Sequence, residues 1–506
     1  MLFGTDGIRG EVADSPKSDE EAISQLLDDR MISARLMRLV GEALSRTVDV
    51  GSNVIVGWDN RPRNSELVES LTVGLHLGGC KVIHGGICAT PGLHNAILET
   101  GSALGCMVTA SHNPVSDSGI KVFDSAGFKT YPELELEVSE LITQLAAEER
   151  EVDRSDLISL RMPDLVFDAD SAHQNLLLNR MAEFSEMFAI PVQKRLLIDS
   201  SKGAASEWLV DLLNELGVEA EEVSRQANAL NENCGAGELS PTDSWTWDEA
   251  AKHEHFLIRS LERSDAGIII GAALDGDGDR CLLIESTADG CRVVDGDEMA
   301  DHILRSASGE WHLAASIESD LALATSLNRL NASVDFSQTA VGDRWLSKAL
   351  RSKNVRVLGV EDSGHLVMSA PHPNGGRCLV GDGVASMAAV LCAMSLKERA
   401  PPFSKGFKRR VSISPSVRER WTGNNQLADR IEDIANNHLG QMKRSALVGE
   451  ANLMLLENET VSIGVRNSGT QAKTNVSLRV VPETDPSVSL ETIEQIIATL
   501  QKELVD

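Results

Sequence analysis

Short apolar segments, helical stretches and turns rich in glycine, proline, asparagine and aspartate alternate as far as about residue 400. Leu104–Val108 and Ala266–Ala272 are uninterrupted apolar runs of a length typical of buried strands. Further strands are predicted over 54–56, 81–84, 119–123, 195–198, 281–284, 313–317 and 356–360, and helices over 36–44, 65–77, from 204, over 296–304 and after 344. This alternation predicts α/β units in which most strands pair in parallel.

The last hundred or so residues follow a different pattern. Strands over 411–414, 453–456 and 462–465 have hairpin spacing, and an amphipathic helix is predicted over 490–504, which together indicate a small α+β domain. A charged stretch over 146–165 and the segment Ala400–Pro402 are predicted boundaries. The predicted domains are therefore 1–155, 156–290, 291–400 and 401–506. The acidic residues 15–30 are interpreted as an inserted surface segment, and the basic cluster Lys405, Lys408, Arg409 and Arg410 as a solvated linker.

Charge and composition exclude several classes of function. The 506 residues carry a formal net charge of −29, which argues against the basic face that nucleic-acid binding needs and against anionic membrane surfaces. No apolar run approaches ~18 residues, and the first residues lack the features of a signal peptide. Eight scattered cysteines without C-x-x-C spacing indicate buried thiols in a reducing compartment. We therefore expect a cytoplasmic protein.

Thr109–Pro114 is the first loop with candidate chemistry. It follows the predicted strand Leu104–Val108 and presents Ser111 and His112 where open α/β folds bind their ligands. A hydroxyl beside an imidazole in such a place suits group transfer. The alternative is an ordinary turn rich in serine and asparagine.

Asp275, Asp277 and Asp279 form the second candidate loop, at the end of the strand predicted over 266–272. Three carboxylates this close raise one another's pKa unless a cation lies among them, and ligands that are all oxygen favour Mg²⁺ or Ca²⁺. An EF-hand is excluded by spacing, because Arg280 stands where that loop needs glycine and Ser286 where it needs glutamate. A solvated acidic turn is the alternative.

Three further loops carry suitable side chains. Glu361–His365 offers carboxylate, hydroxyl and imidazole groups that can bind sugar hydroxyls, unless it is a capped turn. Arg466–Thr470 combines a guanidinium with two hydroxyls around a glycine, which favours a phosphate clasp over a plain turn. Phe3–Gly10 is a glycine-rich loop in which Arg9 offers a donor fork to phosphate, although an ordinary N-terminal turn has the same composition.

The order and spacing of these loops resemble the phosphohexomutase superfamily over nearly the whole chain. The resemblance implies three similar α/β domains and a smaller C-terminal α+β domain around a central cleft. Phe3–Gly10 is most similar to the phosphoglucosamine mutase subgroup. The chain departs from the family pattern at Val360 and Asp362 in the sugar loop, and at Asn467, Gln471 and Ala472, where the phosphate loop usually has proline, glutamate and proline.

The resemblance also implies roles for particular residues. They fall into three sets: catalytic, Ser111, His112, Lys121, Arg9, Arg280 and, more weakly, His365; substrate-binding, Glu361, Ser363, Arg466, Ser468, Gly469 and Thr470; metal-binding, Ser111, Asp275, Asp277 and Asp279. The implied cofactors are one Mg²⁺ per active site and a phosphoserine at Ser111. The resemblance also implies a hexose bisphosphate as intermediate and activator.

The implied activity moves a phosphoryl group between O6 and O1 of a hexose or hexosamine phosphate. Glucosamine-6-phosphate is the favoured substrate, and glucose or mannose phosphates are the alternative. A phosphatase-like hydrolase with an aspartate nucleophile and a non-catalytic sugar-phosphate sensor remain open. The expected partner is the small-molecule substrate, without nucleic acid or membrane, and the expected state is a monomer or homodimer.

Overall fold

The computed structural model describes residues 2–4, 6–148, 155–193, 195–450, 452–468 and 472–505. The chain divides into two compact units. One contains Met1–Met299 with Ser363–Lys397, and the other contains Ala300–Asp362 with Glu398–Asp506. The four domain ranges expected from the sequence stay predictions.

The described residues form strands and helices over most of the positions that the pattern predicts. The strands are β1 (Ile8–Val12), β2 (Met31–Ile32), β3 (Asn53–Trp58), β4 (Lys81–Ile87), β5 (Leu104–Val108), β6 (Asp117–Asp124), β7 (Leu165–Val166), β8 (Leu196–Asp199), β9 (Ala220–Glu222), β10 (Ser244–Thr246), β11 (Ile269–Leu274), β12 (Cys281–Ser286), β13 (Gly290–Val294), β14 (Glu310–Ser316), β15 (Ser333–Thr339), β16 (Arg356–Val360), β17 (Leu366–Pro371), β18 (Arg377–Gly381), β19 (Phe407–Ile413), β20 (Lys443–Ser445), β21 (Met454–Glu457), β22 (Val461–Asn467) and β23 (Thr474–Val480).

The α-helices connect and cover these strands. They are α1 (Asp19–Asp29), α2 (Ala34–Ser45), α3 (Asn64–Leu77), α4 (Thr90–Thr100), α5 (Pro132–Ala146), α6 (Ala169–Met187), α7 (Leu209–Glu215), α8 (Trp247–Ala250), α9 (Phe256–Ser260), α10 (Gly296–Arg305), α11 (Leu321–Thr325), α12 (Asp343–Leu350), α13 (Gly383–Met394), α14 (Gln426–Leu439) and α15 (Ser487–Leu504). The strands form four sheets, three mixed and one antiparallel, which confirms the expected α/β class.

The first sheet has seven strands in the order β2-β1-β6-β5-β3-β4-β7. Its core includes fully buried residues of β3 and β5 together with the apolar face of α2. Residues 15–30, interpreted as an inserted surface segment, contain the helix α1, which begins after the N-cap Ser18 and leaves most of its side chains exposed or half-buried. Ala22 and Leu26, one helical turn apart, are buried in the core.

The second sheet has the order β10-β13-β12-β11-β8-β9, and three of its five strand pairs are antiparallel, so the expected mostly parallel pairing does not hold in this sheet. β11 pairs with β8 in parallel, but β11, β12 and β13 pair antiparallel in succession. The loop of residues 275–280 and the turn of residues 287–289 are too short for a parallel crossover, which needs a dozen or more residues. β11 also begins three positions later than predicted, at Ile269, and Ile268 is exposed.

In the second unit, β14 pairs in parallel with both β15 and β16, and the C-terminal sheet is antiparallel in the order β19-β23-β22-β21-β20. A separate apolar core under this sheet includes the fully buried Trp421 and residues of α14 and α15. The basic cluster around residues 405–410 is not a solvated linker as expected. Lys408 and Arg410 lie in β19, and both form ion pairs with Asp362.

The cysteines and the helices bear on two expectations from composition, buried thiols and the absence of a membrane span. All eight cysteines are free thiols, and seven of them are buried, as predicted. Among the residues that the structure describes, no helix combines the length and the apolar character that crossing a membrane requires.

Candidate active site

Ser111 lies in the loop after β5, fully buried and with a φ of 52°. A left-handed backbone is unusual for serine and persists only where neighbouring groups hold it. Its backbone N–H is bound by Thr109 Oγ1 at 2.8 Å, and its side-chain Oγ donates to Asp275 Oδ2 at 2.6 Å. The structure thus brings the predicted serine loop and the predicted metal loop into direct contact, 164 residues apart in the chain.

Arg61 anchors the serine loop, and the sequence reasoning did not identify it. Its Nη2 donates to the carbonyl oxygens of Ser111 at 2.8 Å and Asn113 at 2.9 Å. Asp59 pairs with Arg61 at 3.0 Å and accepts a hydrogen bond from Thr109 Oγ1 at 2.7 Å. Both partners of this pair are buried, so the guanidinium is fixed as a multiple donor behind the serine loop.

Asp275, Asp277 and Asp279 are all buried and converge, with one ligand oxygen from each within 4.8 Å of the others. Thr90 was not predicted as a site residue, yet its Oγ1 donates to Asp277 Oδ2 at 2.6 Å. Asp277 Oδ1, in contrast, has no hydrogen-bond partner among the described residues. A buried carboxylate oxygen without a partner, in a set made only of oxygen donors, fits a hard divalent cation such as Mg²⁺.

The three carboxyl groups have different proton affinities. Burial is the largest influence on each, and in Asp275 it combines with the charges of Asp279 and Asp277 to raise the pKa to about 7. Burial also acts to raise the pKa of Asp279, but the charges of Lys121 and His365 hold it well below its usual value. The loop therefore contains one carboxyl group that burial tends to protonate and one that cations keep ionised.

Lys121 is the cation at the centre of this group. It is 1% exposed, and its Nζ lies 2.6 Å from Asp277 Oδ2, 2.9 Å from Asp279 Oδ2 and 3.3 Å from Asp6 Oδ2. Burial favours the neutral amine, but these carboxylates outweigh it and raise the pKa of Lys121 well above its usual value. In this arrangement Lys121 is a fixed positive charge.

Positive and negative side chains balance around Ser111. Arg9 Nη2 lies 2.6 Å from Asp6 Oδ2, and Lys129 Nζ lies 3.1 Å from Asp6 Oδ1 and 3.5 Å from Asp279 Oδ2. Besides the Asp59–Arg61 pair, the described charged groups in contact here include four cations and four carboxylates: Arg9, Lys121, Lys129 and Arg280, with Asp6, Asp275, Asp277 and Asp279. A divalent cation and a phosphate dianion added together would preserve this balance.

Three further predicted residues, Arg280, His112 and His365, lie beside the metal loop. Arg280 Nη2 donates to His112 Nδ1 at 3.0 Å, and the Arg280 charge, with burial, lowers the pKa of His112 to about 3. The His365 Nε2 atom lies 2.9 Å from Asp279 Oδ1. His365 and Arg280 also form a backbone β-bridge, so residues 363–365 are tied to the metal loop. His112 is therefore neutral, while its ring nitrogen lies 3.5 Å from Ser111 Oγ.

The predicted sugar loop is divided between the two units. Glu361 is buried at the end of β16, in the second unit, and its Oε1 accepts a hydrogen bond from Gly342 N at 2.7 Å. Asp362 belongs to the same unit and is held by Lys408 Nζ at 3.0 Å and Arg410 Nη2 at 2.6 Å. Ser363 is half-buried and begins the segment that belongs to the first unit.

The predicted phosphate loop begins within a strand. Arg466 lies in β22, where its Nη2 contacts Glu318 Oε1 at 3.0 Å and its Nη1 lies 3.8 Å from Glu450 Oε1. Asn467, which replaces the usual proline, donates through Nδ2 to the carbonyl oxygens of Arg418 and Trp421. Ser468 is described, and Gly469 and Thr470 lie outside the described residues. Asn467 thus fastens the start of the loop by side-chain hydrogen bonds.

The first unit assembles most of the predicted site. It brings together the residues predicted as catalytic or metal-binding, namely Ser111, His112, Lys121, Arg9, Arg280, His365, Asp275, Asp277 and Asp279. Glu361, Arg466 and Ser468 belong to the second unit. Arg9 lies in β1 and not in a loop as expected, because residues 8–11 pair with β6.

Asp6, Arg61, Thr90 and Lys129 were missed. Asp6 lies in the glycine-rich segment Phe3–Gly10, three residues before Arg9. Its position in that segment could have marked it as a site residue. Arg61 is two residues from its ion-pair partner Asp59, but the serine loop that it contacts begins about 50 residues away. Thr90 and Lys129 are single polar residues far along the chain from their partners, and no spacing marks these contacts.

Comparisons with known proteins give one consistent result. A model described as phosphoglucomutase/phosphomannomutase, alpha/beta/alpha domain I, matches residues 1–149, and the model of domain III of the same family matches residues 295–410. The phosphoglucosamine mutase of Gluconacetobacter diazotrophicus is 29% identical over 511 residues, covering 99% of this chain and 96% of the relative. That of Lactobacillus delbrueckii subsp. bulgaricus is 28% identical over 447 residues, covering 87% and 89%.

Solved structures show the same fold at low identity. A phosphoglucomutase/phosphomannomutase family protein from Burkholderia thailandensis has a TM-score of 0.67 at 17% identity, covering 99% of this chain and 98% of that one. Aspergillus fumigatus N-acetylphosphoglucosamine mutase, in complex with GlcNAc-6P and magnesium, has a TM-score of 0.60 at 14% identity, covering 99% and 96%. The four-domain fold expected from the resemblance is therefore confirmed.

Proposed function

Because the chain belongs to the phosphoglucomutase/phosphomannomutase superfamily, and is a phosphohexomutase, we propose that it interconverts glucosamine-6-phosphate and glucosamine-1-phosphate. The sugar is inferred from the phosphoglucosamine mutases, which are about 28% identical to this chain over most of its length. The similarity of Phe3–Gly10 to that subgroup supports the same choice.

One observation carries the proposed chemistry. Ser111 Oγ lies 2.6 Å from Asp275 Oδ2, and Asp275 converges with two further buried aspartates. A hydroxyl held at the rim of an oxygen-donor metal site is placed to carry a phosphoryl group whose charge the site can neutralise. Phosphoryl transfer depends chiefly on such positioning and charge stabilisation.

The proposed cycle uses two transfers through the same serine. In the first, the bond between Ser111 Oγ and phosphorus breaks as O1 of glucosamine-6-phosphate bonds to phosphorus and gives up its proton. The product is a hexosamine 1,6-bisphosphate and a free Ser111 hydroxyl. After the bisphosphate has turned over, Ser111 Oγ gives up its proton and bonds to the phosphorus of the 6-phosphate. The bond between that phosphorus and O6 breaks, O6 takes a proton, and glucosamine-1-phosphate leaves.

The residues of the first unit supply the charge that this transfer needs. Asp275, Asp277 and Asp279 would hold Mg²⁺, which supplies Lewis-acid neutralisation of phosphoryl oxygens when bound. Arg9 and Arg280 add positive field near the reacting group. For proton transfer, His112, Lys121 and His365 are the candidates. Of these, the Nδ1 atom of His112 lies 3.5 Å from Ser111 Oγ.

Substrate binding is proposed for residues of the sugar and phosphate loops. Glu361 and Ser363 would accept and donate hydrogen bonds with the sugar hydroxyls, and Arg466 would bind the phosphate that is not reacting. Ser468, Gly469 and Thr470 would complete the phosphate site through hydroxyl and backbone donors. Arg466 already contacts carboxylates at 3.0 and 3.8 Å, so phosphate binding would exchange one anionic partner for another.

A coupled assay comparing glucosamine-6-phosphate, glucose-1-phosphate and mannose-1-phosphate tests this proposal. We expect kcat/KM to be highest for glucosamine-6-phosphate, with turnover lost on chelation and restored by Mg²⁺. Faster turnover of glucose-1-phosphate or mannose-1-phosphate would show that one of these, and not glucosamine-6-phosphate, is the preferred substrate. Net release of inorganic phosphate would indicate a hydrolase, and binding without isomerisation would indicate a sensor.

A further inference from the structure

Asn231 lies in the connection between β9 and β10 of the second sheet, and its side chain contacts the backbone of the Ser111 loop. Its side-chain Nδ2 donates to the carbonyl oxygens of Ser111 and Asn113, both at 2.8 Å. Its Oδ1 accepts a hydrogen bond from Ser201 Oγ. The carbonyl oxygens of Ser111 and Asn113 can only accept hydrogen bonds, so the NH2 end of the amide must face the serine loop, and the Ser201 hydroxyl donates to the carbonyl end.

The segment that carries Asn231 is held in an unusual backbone conformation. Asn231, Asn233 and Gly235 have φ values of 61°, 54° and 88°. Asparagine and glycine tolerate this region better than other residues. Gly235 N donates to Asp199 Oδ2 at 2.8 Å, and Gly235 O is bound to His255 Nε2 at 3.1 Å. Buried side chains on both sides of the segment thus determine where the Asn231 amide points.

Two glycines allow this segment and the metal loop to approach the serine loop closely. A Cβ at Gly237 would lie 2.3 Å from the Cβ of His112. A Cβ at Gly276 would lie 2.7 Å from the carbonyl oxygen of Ser111 and 2.9 Å from the Asn231 amide. These distances are too short for any side chain at either position. Glycine at 237 and 276 is therefore needed for these segments to lie so close to the serine loop.

We propose that Asn231 is a positioning residue for phosphoryl transfer, which sets the Ser111 loop relative to the metal loop. Arg61 binds the same two carbonyl groups, but it follows β3, in the same sheet as the strand that delivers Ser111. Asn231 instead hydrogen-bonds to Ser201, which follows β8, the parallel neighbour of β11 and its metal loop. Asn231 therefore links the reacting serine to the sheet that carries the aspartates.

The consequence for catalysis rests on the proposed function, whereas the positioning itself does not. Ser111 keeps a φ of 52°, a strained conformation that persists only because its surroundings hold it. Loss of the two hydrogen bonds from Asn231 should allow Ser111 Oγ to occupy a wider range of positions. Misplacement by about 1 Å can cost about a hundredfold in rate.

The test compares Asn231→Ala with Asn228→Ala, whose side chain is exposed on the same connection. Two quantities are measured: kcat and KM with the preferred sugar phosphate, and amide hydrogen exchange of the peptide spanning residues 109–117. For Asn231→Ala we expect kcat to fall about 10–100-fold, the range seen when residues that orient an active group are lost. We expect KM within about threefold and exchange faster by about tenfold or more only in that peptide. Asn228→Ala should match the wild type.

Ser201→Ala is the second variant, because it removes only the hydrogen bond that holds the carbonyl end of the Asn231 amide. Like Asn231→Ala, it should lower kcat and speed exchange of the 109–117 peptide, but by smaller factors. If Asn231→Ala does not fold, the Ser201→Ala result tests the proposal. Wild-type kcat and exchange in the folded variants would overturn the proposal, as would faster exchange spread over the whole molecule. If the wild type isomerises no hexose phosphate, the proposed function fails, and local exchange alone then supports or overturns the positioning role.

Discussion

Asp277 is the residue whose environment points most directly to a bound cation. One of its carboxylate oxygens receives hydrogen bonds from Thr90 and Lys121, and the other has no partner among the described residues although the side chain is buried. Desolvating a carboxylate oxygen without a partner is costly, so a ligand at this oxygen would stabilise the site. The simplest such ligand in an all-oxygen site is Mg²⁺.

We therefore predict that Asp277→Asn weakens Mg²⁺ binding by about tenfold or more, because it removes one anionic ligand. Isothermal titration calorimetry with Mg²⁺ alone measures this without any turnover. Asp289→Asn, which removes an equal charge from an exposed turn, is the matched control and should bind as the wild type does. Equal affinity of Asp277→Asn and the wild type would exclude this residue as a ligand.

The helix α13 is the element that connects the metal loop with the buried interior of the first unit. Gly383 N, at its first position, donates to Gly278 O at 3.0 Å. Asp382 is its N-cap and is fully buried, with Oδ2 3.0 Å from His173 Nε2 and 3.4 Å from Arg180 Nη1. The capping carboxylate is thus also the counter-charge of a buried arginine on α6.

We predict that Asp382→Ala lowers the free energy of unfolding by about 3–5 kcal/mol, since it leaves a buried guanidinium without its counter-charge. Asp168→Ala is the matched control, because Asp168 is also an N-cap but is exposed, and its loss should cost about 1 kcal/mol. Urea unfolding of the two variants measures the difference. Equal losses would show that the buried pair adds nothing beyond capping.

Elements were predictable where the local pattern determines them. The apolar runs located β5 and β11 closely enough to put Ser111 and Asp275 at strand ends, and the two loops do meet. Strand direction was not predictable from alternation alone, because the short connections around β12 force antiparallel pairing. Arg61 and Asn231 contact the serine loop from 50 and 120 residues away, and no local spacing reports such contacts.

At the scale of the whole molecule, net charge gave little guidance about the site. The chain carries −29, yet four cationic side chains are gathered against the aspartates around Ser111. Composition averages over a surface, whereas the binding of an anion depends on a few buried charges. The acidic balance disfavours nucleic acid as a partner without excluding a phosphorylated substrate.

Stability of the molecule should also depend on pH through its buried imidazoles. Burial and the Arg180 charge lower the pKa of His94 from 6.5 to about 4. The unfolded chain therefore binds a proton that the folded chain excludes between these values. Stability from this residue is fully present above about pH 6.5 and is lost as the pH falls toward 4, by on the order of 3 kcal/mol.

NMR titration of the histidine ring protons measures this shift directly. The His94 signal should stay at its neutral position down to about pH 5, and the free energy of unfolding should decrease between pH 7 and pH 5. His94→Asn should reduce that decrease. A His94 signal that titrates near pH 6.5 would contradict the prediction.

We propose that Ser111 carries the phosphoryl group between turnovers. The most direct measurement is mass spectrometry of the peptide containing Ser111 after incubation with glucose-1,6-bisphosphate and Mg²⁺, in the wild type and in Ser111→Ala. We expect one phosphate on Ser111 in the wild type, and neither phosphate nor mutase activity in the variant. Full activity of Ser111→Ala, or a phosphate found on a different residue, would contradict the claim.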